Sequence, residues 1–118
     1  MNSCHMEMKS KSIDESSVVI KIIGRLNIDE VQVLERELDR HLHGKKTIAI
    51  DLSEVKYVDS SGIGTLIKAM NMAKNAGAEF ILFDINQAIL NIFRLAYLDK
   101  FFTILTRKDL VERYPQFK

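Results

Sequence analysis

Residues 46–70, KTIAIDLSEVKYVDSSGIGTLIKAM, decide the fold because their hydrophobic pattern changes from that of a strand to that of a helix. The segment 46–52 is short, apolar and rich in β-branched residues, which predicts a strand buried on both faces. After a polar link, 53–58, a helix is predicted from Ser61 to Asn75, since apolar residues recur there at steps of three and four: Ile63, Leu66, Ile67, Met70 and Ala73. Four residues stand at the junction: Asp59, Ser60, Ser61 and Gly62.

The rest of the chain alternates between the same two patterns. Strands are predicted on both sides of the turn 14–16, the second ending at Gly24, and again at 78–84 and 101–105. Helices are predicted at 27–43, with Asn27 as N-cap and Gly44 as the stop, and at 86–98 and 107–114. This order predicts an α/β domain with packed helices and a mostly parallel sheet of four to five strands, in which the first hairpin adds an antiparallel edge strand.

The length and charge of the chain bound its organisation and its partners. We expect one domain over 7–114, a disordered start or tag remnant at 1–6 and a C-terminal tail at 115–118, because 118 residues suffice for a single core. A net charge of +1 gives no reason to expect nucleic acid as a partner. No apolar run approaches the roughly 20 residues that span a bilayer, so membrane insertion is not expected. The lone cysteine, Cys4, suits a reducing cytoplasm.

Motifs for catalysis or cofactor binding are not found in the sequence. The G-x-x-x-x-G-K-[ST] phosphate loop and the G-x-S-x-G nucleophile elbow are both missing. His41 and His43 are two residues apart on a predicted helix, so they point to different faces and do not share a metal. Asp51 and Asp59 resemble a carboxylate pair, but no histidine or third acid accompanies them. We therefore expect no enzyme, no metal and no cofactor, with Asp51 at a strand end facing the loops.

The junction 59–62 has two interpretations. In the first it is a helix cap, in which Asp59 or Ser60 accepts hydrogen bonds from free backbone N–H groups. In the second, a serine exposed at a helix start is a modification site, because the N–H groups and the helix dipole tolerate a phosphate there. Phosphorylation would add about −1.5 to −2 charges to a nearly neutral surface and could switch off a binding partner.

Two stretches bear on this choice: IDLSEVKYVDSSGIGTLI at 50–67 and AGAEFILFDINQAILNIFRLAYLDKFFTI at 76–104. Together they resemble the STAS domain of bacterial anti-sigma factor antagonists, over residues 18 to 105. The family motif is a strand ending in D-L-S, a link, and D-S-[ST]-G-[LIV]-G at a helix start. The resemblance implies a small sheet with one antiparallel edge strand and helices packed against it.

The resemblance also implies a function by partner switching. The unphosphorylated antagonist binds an anti-sigma factor that is a serine kinase and frees the sigma factor; phosphorylation ends the binding, and a metal-dependent serine phosphatase reverses it. Transferred to this chain, the phosphoacceptor is Ser60, with Asp59 and Ser61 as its neighbours. Ser61 is the second choice as acceptor and the likelier helix cap. The implied partner-binding residues are Arg25, Asn27, Asp59, Ser60, Ser61, Gly62 and Ile63.

Residues 24–27 depart from the family pattern. The family commonly has G-[ED]-[LIV]-D where this chain has Gly24, Arg25, Leu26 and Asn27, so the surface near the junction becomes more positive. This departure leaves open an alternative, a constitutive STAS interaction subunit of a transport or signalling complex. In either case we expect a monomer or weak dimer.

Overall fold

Strands and helices alternate along residues 6–26 and 31–118, the part of the chain that the computed structural model describes. The elements are β1 Glu7–Ser12, β2 Ser17–Leu26, α1 Val31–Leu42, β3 Thr47–Val58, α2 Ser60–Asn75, β4 Glu79–Phe83, α3 Gln87–Leu95, β5 Thr103–Leu105 and α4 Arg107–Arg113, followed by a 3-10 helix, Pro115–Phe117. The strand order is β1-β2-β3-β4-β5, with β1 antiparallel to β2 and the other neighbours parallel. The predicted α/β class is confirmed, including the antiparallel edge.

The core lies on both faces of the sheet because successive strand residues point to opposite sides. On one face, α1, α2 and α3 cover the sheet through Leu34, Leu66 and Phe93, which pack with strand residues such as Ile20, Ile50 and Leu82. On the other face, α4 and the 3-10 helix contribute Leu110 and Phe117, which pack against Ala49, Ile81 and Phe83. The sheet edges are β1, most of whose residues are exposed, and the three-residue β5.

The predicted link 53–58 is wrong, because these residues continue β3 beside the end of β2. Two irregularities explain the error. Between Lys21 and Ile23 the partners on β3 advance from Asp51 to Glu54, and between Gly24 and Arg25 they advance from Val55 to Tyr57. β3 thus holds one extra residue at each bulge, which breaks the alternation that marks a strand in sequence.

Two predicted element ends also differ from the structure. Gly24 does not end β2; it adopts φ 99° within the strand, at the second irregularity, which glycine accommodates without strain. The helix predicted over 86–98 ends at Leu95, because Tyr97 adopts a left-handed φ of 59°.

The ends of the described chain pack into the domain. Met6 is buried in the core beneath α1–α3, and Phe117 is buried on the opposite face. The predicted boundaries at residues 7 and 114 therefore fall next to residues that contribute to the core. Asn27, predicted as the N-cap of α1 and as a partner-binding residue, lies outside the described residues.

Candidate functional site

The serine corner, which we define as Asp59, Ser60, Ser61 and Gly62, lies at the carboxyl edge of the sheet. Leu26, the last residue of β2, is paired in register with Val58, the last residue of β3. The backbone N–H of Asp59 then donates to the carbonyl oxygen of Leu26 at 3.4 Å, and α2 begins at Ser60. Parallel α/β sheets present their binding sites at this edge, beside helix N-termini.

Asp59 is the N-cap of α2. Its backbone is extended, as is typical of an N-cap, and its side chain accepts a hydrogen bond from the backbone N–H of Gly62 at 2.9 Å. Its carbonyl oxygen accepts the N–H of Ile63 at 3.0 Å, which starts the helical ladder. Of the caps considered from sequence, Asp59 is the one observed, and the expectation that Ser61 serves as the cap is wrong.

Gly62 lets α2 approach the end of β2. A Cβ atom on this buried residue would lie 2.1 Å from the carbonyl oxygen of Leu26 and 2.8 Å from Cγ2 of Val58. The nearest atom, the Leu26 carbonyl oxygen, belongs to the backbone, so it cannot move away by a change of rotamer as a side chain could. At Gly64, by contrast, no described atom lies within 4 Å of such a Cβ. The lack of a Cβ atom at Gly62 thus allows the start of α2, with its two serines, to lie close to the ends of β2 and β3.

The two serines differ in exposure. Ser60 is exposed at the first residue of α2, while Ser61 is half-buried and its carbonyl oxygen accepts a hydrogen bond from the Thr65 hydroxyl at 2.9 Å. The first turn of α2 contains no acidic residue, and the Asp59 carboxylate engages the N–H of Gly62. The N–H groups that remain free and the positive end of the dipole therefore act on Ser60.

Arg25 and Tyr57 lie one register pair below the corner, on the neighbouring ends of β2 and β3. The Arg25 guanidinium stands 4.4 Å from the centre of the Tyr57 ring, a distance at which cation–π attraction orients the side chain. Ile63 is half-buried and packs against the core. The structure therefore brings Asp59, Ser60, Ser61, Gly62 and Ile63 together at the start of α2, with Gly62 contributing backbone rather than a side chain. Arg25 lies one register pair earlier, with its guanidinium over the Tyr57 ring.

Asn86 is a further residue at this edge that the sequence analysis did not single out. Its amide nitrogen donates to the carbonyl oxygen of Val55 at 2.8 Å, and its amide oxygen accepts the N–H of Ile89 at 3.0 Å as the N-cap of α3. The Asn86 side chain thus connects the start of α3 to the last part of β3, which pairs with β2 alone and leads to the serine corner. The helix-capping preference of asparagine was a signal for the second contact, and nothing local signalled the first.

Asp51 and Asp59 do not form a carboxylate pair. Asp51 lies in the middle of β3 rather than at a strand end. β2 spans the same stretch in five steps, from Lys21 to Leu26, so roughly 20 Å separates Asp51 from Asp59. Asp51 is 4% exposed and accepts from the backbone N–H of Ser53 at 2.9 Å and from Nη2 of Arg107 at 3.1 Å. Arg107 also donates through Nε to Asp84 at 2.9 Å, so this cluster fastens α4 to the sheet.

Lys21, which is paired in register with Asp51, forms an ion pair with Glu54, with 2.6 Å between Nζ and Oε2. Their hydrogen bond raises the pKa of Lys21 and lowers the pKa of Glu54 relative to the ordinary values.

Among the described residues, no group of three or more His, Cys, Asp or Glu side chains is arranged to hold a metal ion. Within residues 6–26 and 31–118, no helix combines the length and apolar character needed to cross a membrane.

Comparison with known proteins identifies the class that this fold and corner define. The family model of the STAS domain matches residues 8–112, and the chain belongs to that family. The anti-sigma-B factor antagonist of Bacillus subtilis (strain 168) is 22% identical over 96 residues, which cover 81% of this chain and 88% of that protein.

Solved structures share the fold. An anti-sigma factor antagonist from Mycobacterium paratuberculosis superposes with a TM-score of 0.81 at 18% identity, covering 97% of each chain. The anti-sigma factor antagonist SpoIIAA in its unphosphorylated form gives a TM-score of 0.76 at 18% identity, covering 92% of this chain and 96% of its own. SpoIIAA of Bacillus in the phosphorylated form gives 0.69 at 18% identity, covering 91% and 98%.

Proposed function

We propose that this chain is an anti-sigma factor antagonist, a binding protein rather than an enzyme, whose serine corner is switched by phosphorylation of Ser60. In the unphosphorylated form it binds an anti-sigma factor with serine kinase activity, which frees the sigma factor. The similarity to the anti-sigma-B factor antagonist of Bacillus subtilis supports the general function. The observation that carries the choice of residue is that Asp59 provides the cap while Ser60 stands exposed at the first position of α2.

The charge balance at the corner explains how one phosphate would release a partner. Before modification, the corner carries one carboxylate, that of Asp59, on a chain whose net charge is close to neutral, +1, so the surface can accept apolar groups. A phosphate on Ser60 adds about −1.5 to −2 charges directly beside Asp59. Juxtaposed like charges cost several kcal/mol, so we expect affinity for an acidic or apolar partner surface to fall about 100-fold, or roughly 2.7 kcal/mol.

The helix start tolerates the modified residue. Free N–H groups and the positive end of the dipole stabilise a phosphate at this position, so phosphorylation should not unfold α2. The kinase supplies ATP, Mg²⁺ and the catalytic base, and the chain contributes the hydroxyl. A metal-dependent serine phosphatase then restores the binding form.

The test pairs the chain with the kinase-type anti-sigma factor from the same genome. With ATP and Mg²⁺, we expect peptide mass spectrometry to find one phosphate, on Ser60, in the wild type and in Ser61→Ala but not in Ser60→Ala. Calorimetry should then show tight binding before phosphorylation, weak binding after it, and recovery after phosphatase treatment.

Each of the other results would count against a specific part of the proposal. Phosphate on Ser61 in the wild type would move the acceptor, and incorporation into Ser60→Ala equal to that of the wild type would remove Ser60 from the mechanism. Equal affinity of the two forms for the anti-sigma factor would replace the switch with a constitutive interaction module.

A further inference from the structure

The end of the domain opposite the serine corner contains a cavity of about 210 Å³. It arises because β4 begins at Glu79, whereas its pairing with β5 begins only at Ile81 and Thr103. The first residues of β4 are therefore not covered by the edge strand. The apolar part of the lining comes from Met70, Ala78, Phe80, Ile81 and Phe101.

Large apolar side chains project into solvent along the segment that runs from the end of α3 to the cavity residue Phe101. Leu95 and Tyr97 are both 83% exposed, and Phe101, which lines the cavity, is 48% exposed. The N–H of Phe101 donates to the carbonyl oxygen of Leu98 at 3.0 Å, which holds the connection from α3 to β5 in a compact turn. Exposed aromatic side chains beside a pocket are the anchors that protein interfaces use.

Tyr97 occupies a position that normally favours glycine. Its φ is 59°, its N–H donates to the carbonyl oxygen of Arg94 at 3.0 Å, and the N–H of Leu98 donates to that of Phe93 at 2.8 Å. This is the Schellman pattern that ends a helix, in which the left-handed residue is usually glycine. A bulky residue in this conformation is strained, so its presence calls for an explanation beyond the fold.

The charges around the cavity define what it would accept. Lys74 and Arg113 line it, and the Arg113 guanidinium stands 5.8 Å from the centre of the Tyr114 ring. Of the described lining residues one is acidic, Glu79, and its carboxylate accepts a hydrogen bond from the Tyr114 hydroxyl. The cavity therefore presents two cations and one engaged carboxylate to an incoming group.

We propose that this amino-edge surface, comprising the cavity with Lys74 and Arg113 together with Leu95, Tyr97 and Phe101, is a second docking site for a protein. The occupant is a segment with one bulky apolar side chain, which enters the cavity, flanked by Asp or Glu, which meet the two cations. Pairing of two copies through this surface is disfavoured, because it would place two surfaces of net positive charge against each other.

The two surfaces lie at opposite ends of α2. Ser60 starts this 16-residue helix and Lys74 stands in its last turn, so roughly 20 Å separates them. A partner at the amino-edge surface thus remains bound while the serine corner gains or loses its own partner. The proposal does not depend on the phosphorylation of Ser60.

The test uses two peptides, one with a central phenylalanine flanked by glutamates and one with lysines in place of the glutamates. In NMR titrations of the ¹⁵N-labelled chain, we expect the glutamate peptide to shift the amides of Lys74, Phe101, Thr103 and Arg113 and to leave Ser60 unchanged. The lysine peptide should bind about tenfold more weakly, since its charges oppose those of the surface.

Variants separate binding from folding. Arg113→Glu should weaken the glutamate peptide about tenfold, equivalent to about 1.4 kcal/mol, and strengthen the lysine peptide, while Lys108→Glu, an equal charge change outside the cavity, should change neither. Tyr97→Gly relieves the backbone strain, so it should raise Tm and still weaken the peptide.

Three results would overturn the proposal. The first is equal binding of both peptides, or shifts that map away from the amino-edge surface. The second is shifts at these amides that follow protein concentration without peptide, which would assign the surface to a second copy. The third is co-sedimentation with phosphatidylglycerol vesicles that Arg113→Glu abolishes, which would assign it to an anionic membrane.

Discussion

Replacing Gly62 with alanine tests the close approach that positions the serine corner. The new Cβ would stand 2.1 Å from the Leu26 carbonyl oxygen, where ordinary contacts begin at 3.4 Å, so the helix start or the strand end must move by more than 1 Å. Overpacking of a tight core costs about 1–3 kcal/mol, and a backbone obstacle favours the upper end. The gain from replacing a helical glycine, about 0.5–1 kcal/mol, offsets part of this. We expect a net loss of about 2 kcal/mol.

Gly64→Ala is the matched control. It makes the same chemical change two residues along the same helix, where no described atom lies within 4 Å of the new methyl group. It should stabilise the chain by about 0.5–1 kcal/mol. Urea unfolding followed by circular dichroism measures both variants, and we expect their midpoints to differ by at least about 1 M. Equal midpoints, or Gly62→Ala as the more stable variant, would refute the reasoning.

Three further changes test other contacts. Asp59→Ala should cost about 1 kcal/mol of unfolding free energy through loss of the cap, and Asp59→Asn should cost much less. Arg107→Leu removes a cation from buried Asp51 and should cost about 1–2 kcal/mol, less than for a fully buried pair because Arg107 is exposed. The hydrogen bond to Glu79 raises the pKa of Tyr114 above 10.0. We expect this bond to make the wild type more stable than Tyr114→Phe by about 1 kcal/mol. Because the pKa is raised in the folded state, the difference should be full below pH 10.0 and should be lost as the pH rises through the raised pKa.

Chemical denaturation checks the first two changes, and the third requires denaturation across alkaline pH. Asp59→Asn as unstable as Asp59→Ala would show that the carboxylate acts through charge rather than as a cap. An Arg107→Leu variant as stable as the wild type would mean that Asp51 needs no cation. A difference between Tyr114→Phe and wild type that grows with alkaline pH would reverse the sign argued for Tyr114.

The corner was predictable because its signals are local. An apolar β-branched run, a change to helical spacing and capping residue types all fall within 46–70, and the structure has a strand, the Asp59 cap and α2 there. The extension of β3 was not predictable, since two bulges put its core residues Val55 and Val58 three positions apart. The salt bridge between Asp51 and Arg107 joins residues 56 positions apart, and no local pattern encodes it.

The two edges of the sheet bear on whether copies of this chain aggregate. β1 exposes Lys9 and Lys11 along one edge, and β5 offers only three residues at the other. Charged or very short edge strands discourage the strand-to-strand pairing that begins fibril growth. Both edges of the sheet are therefore protected against growth of the sheet from one copy of the chain into another.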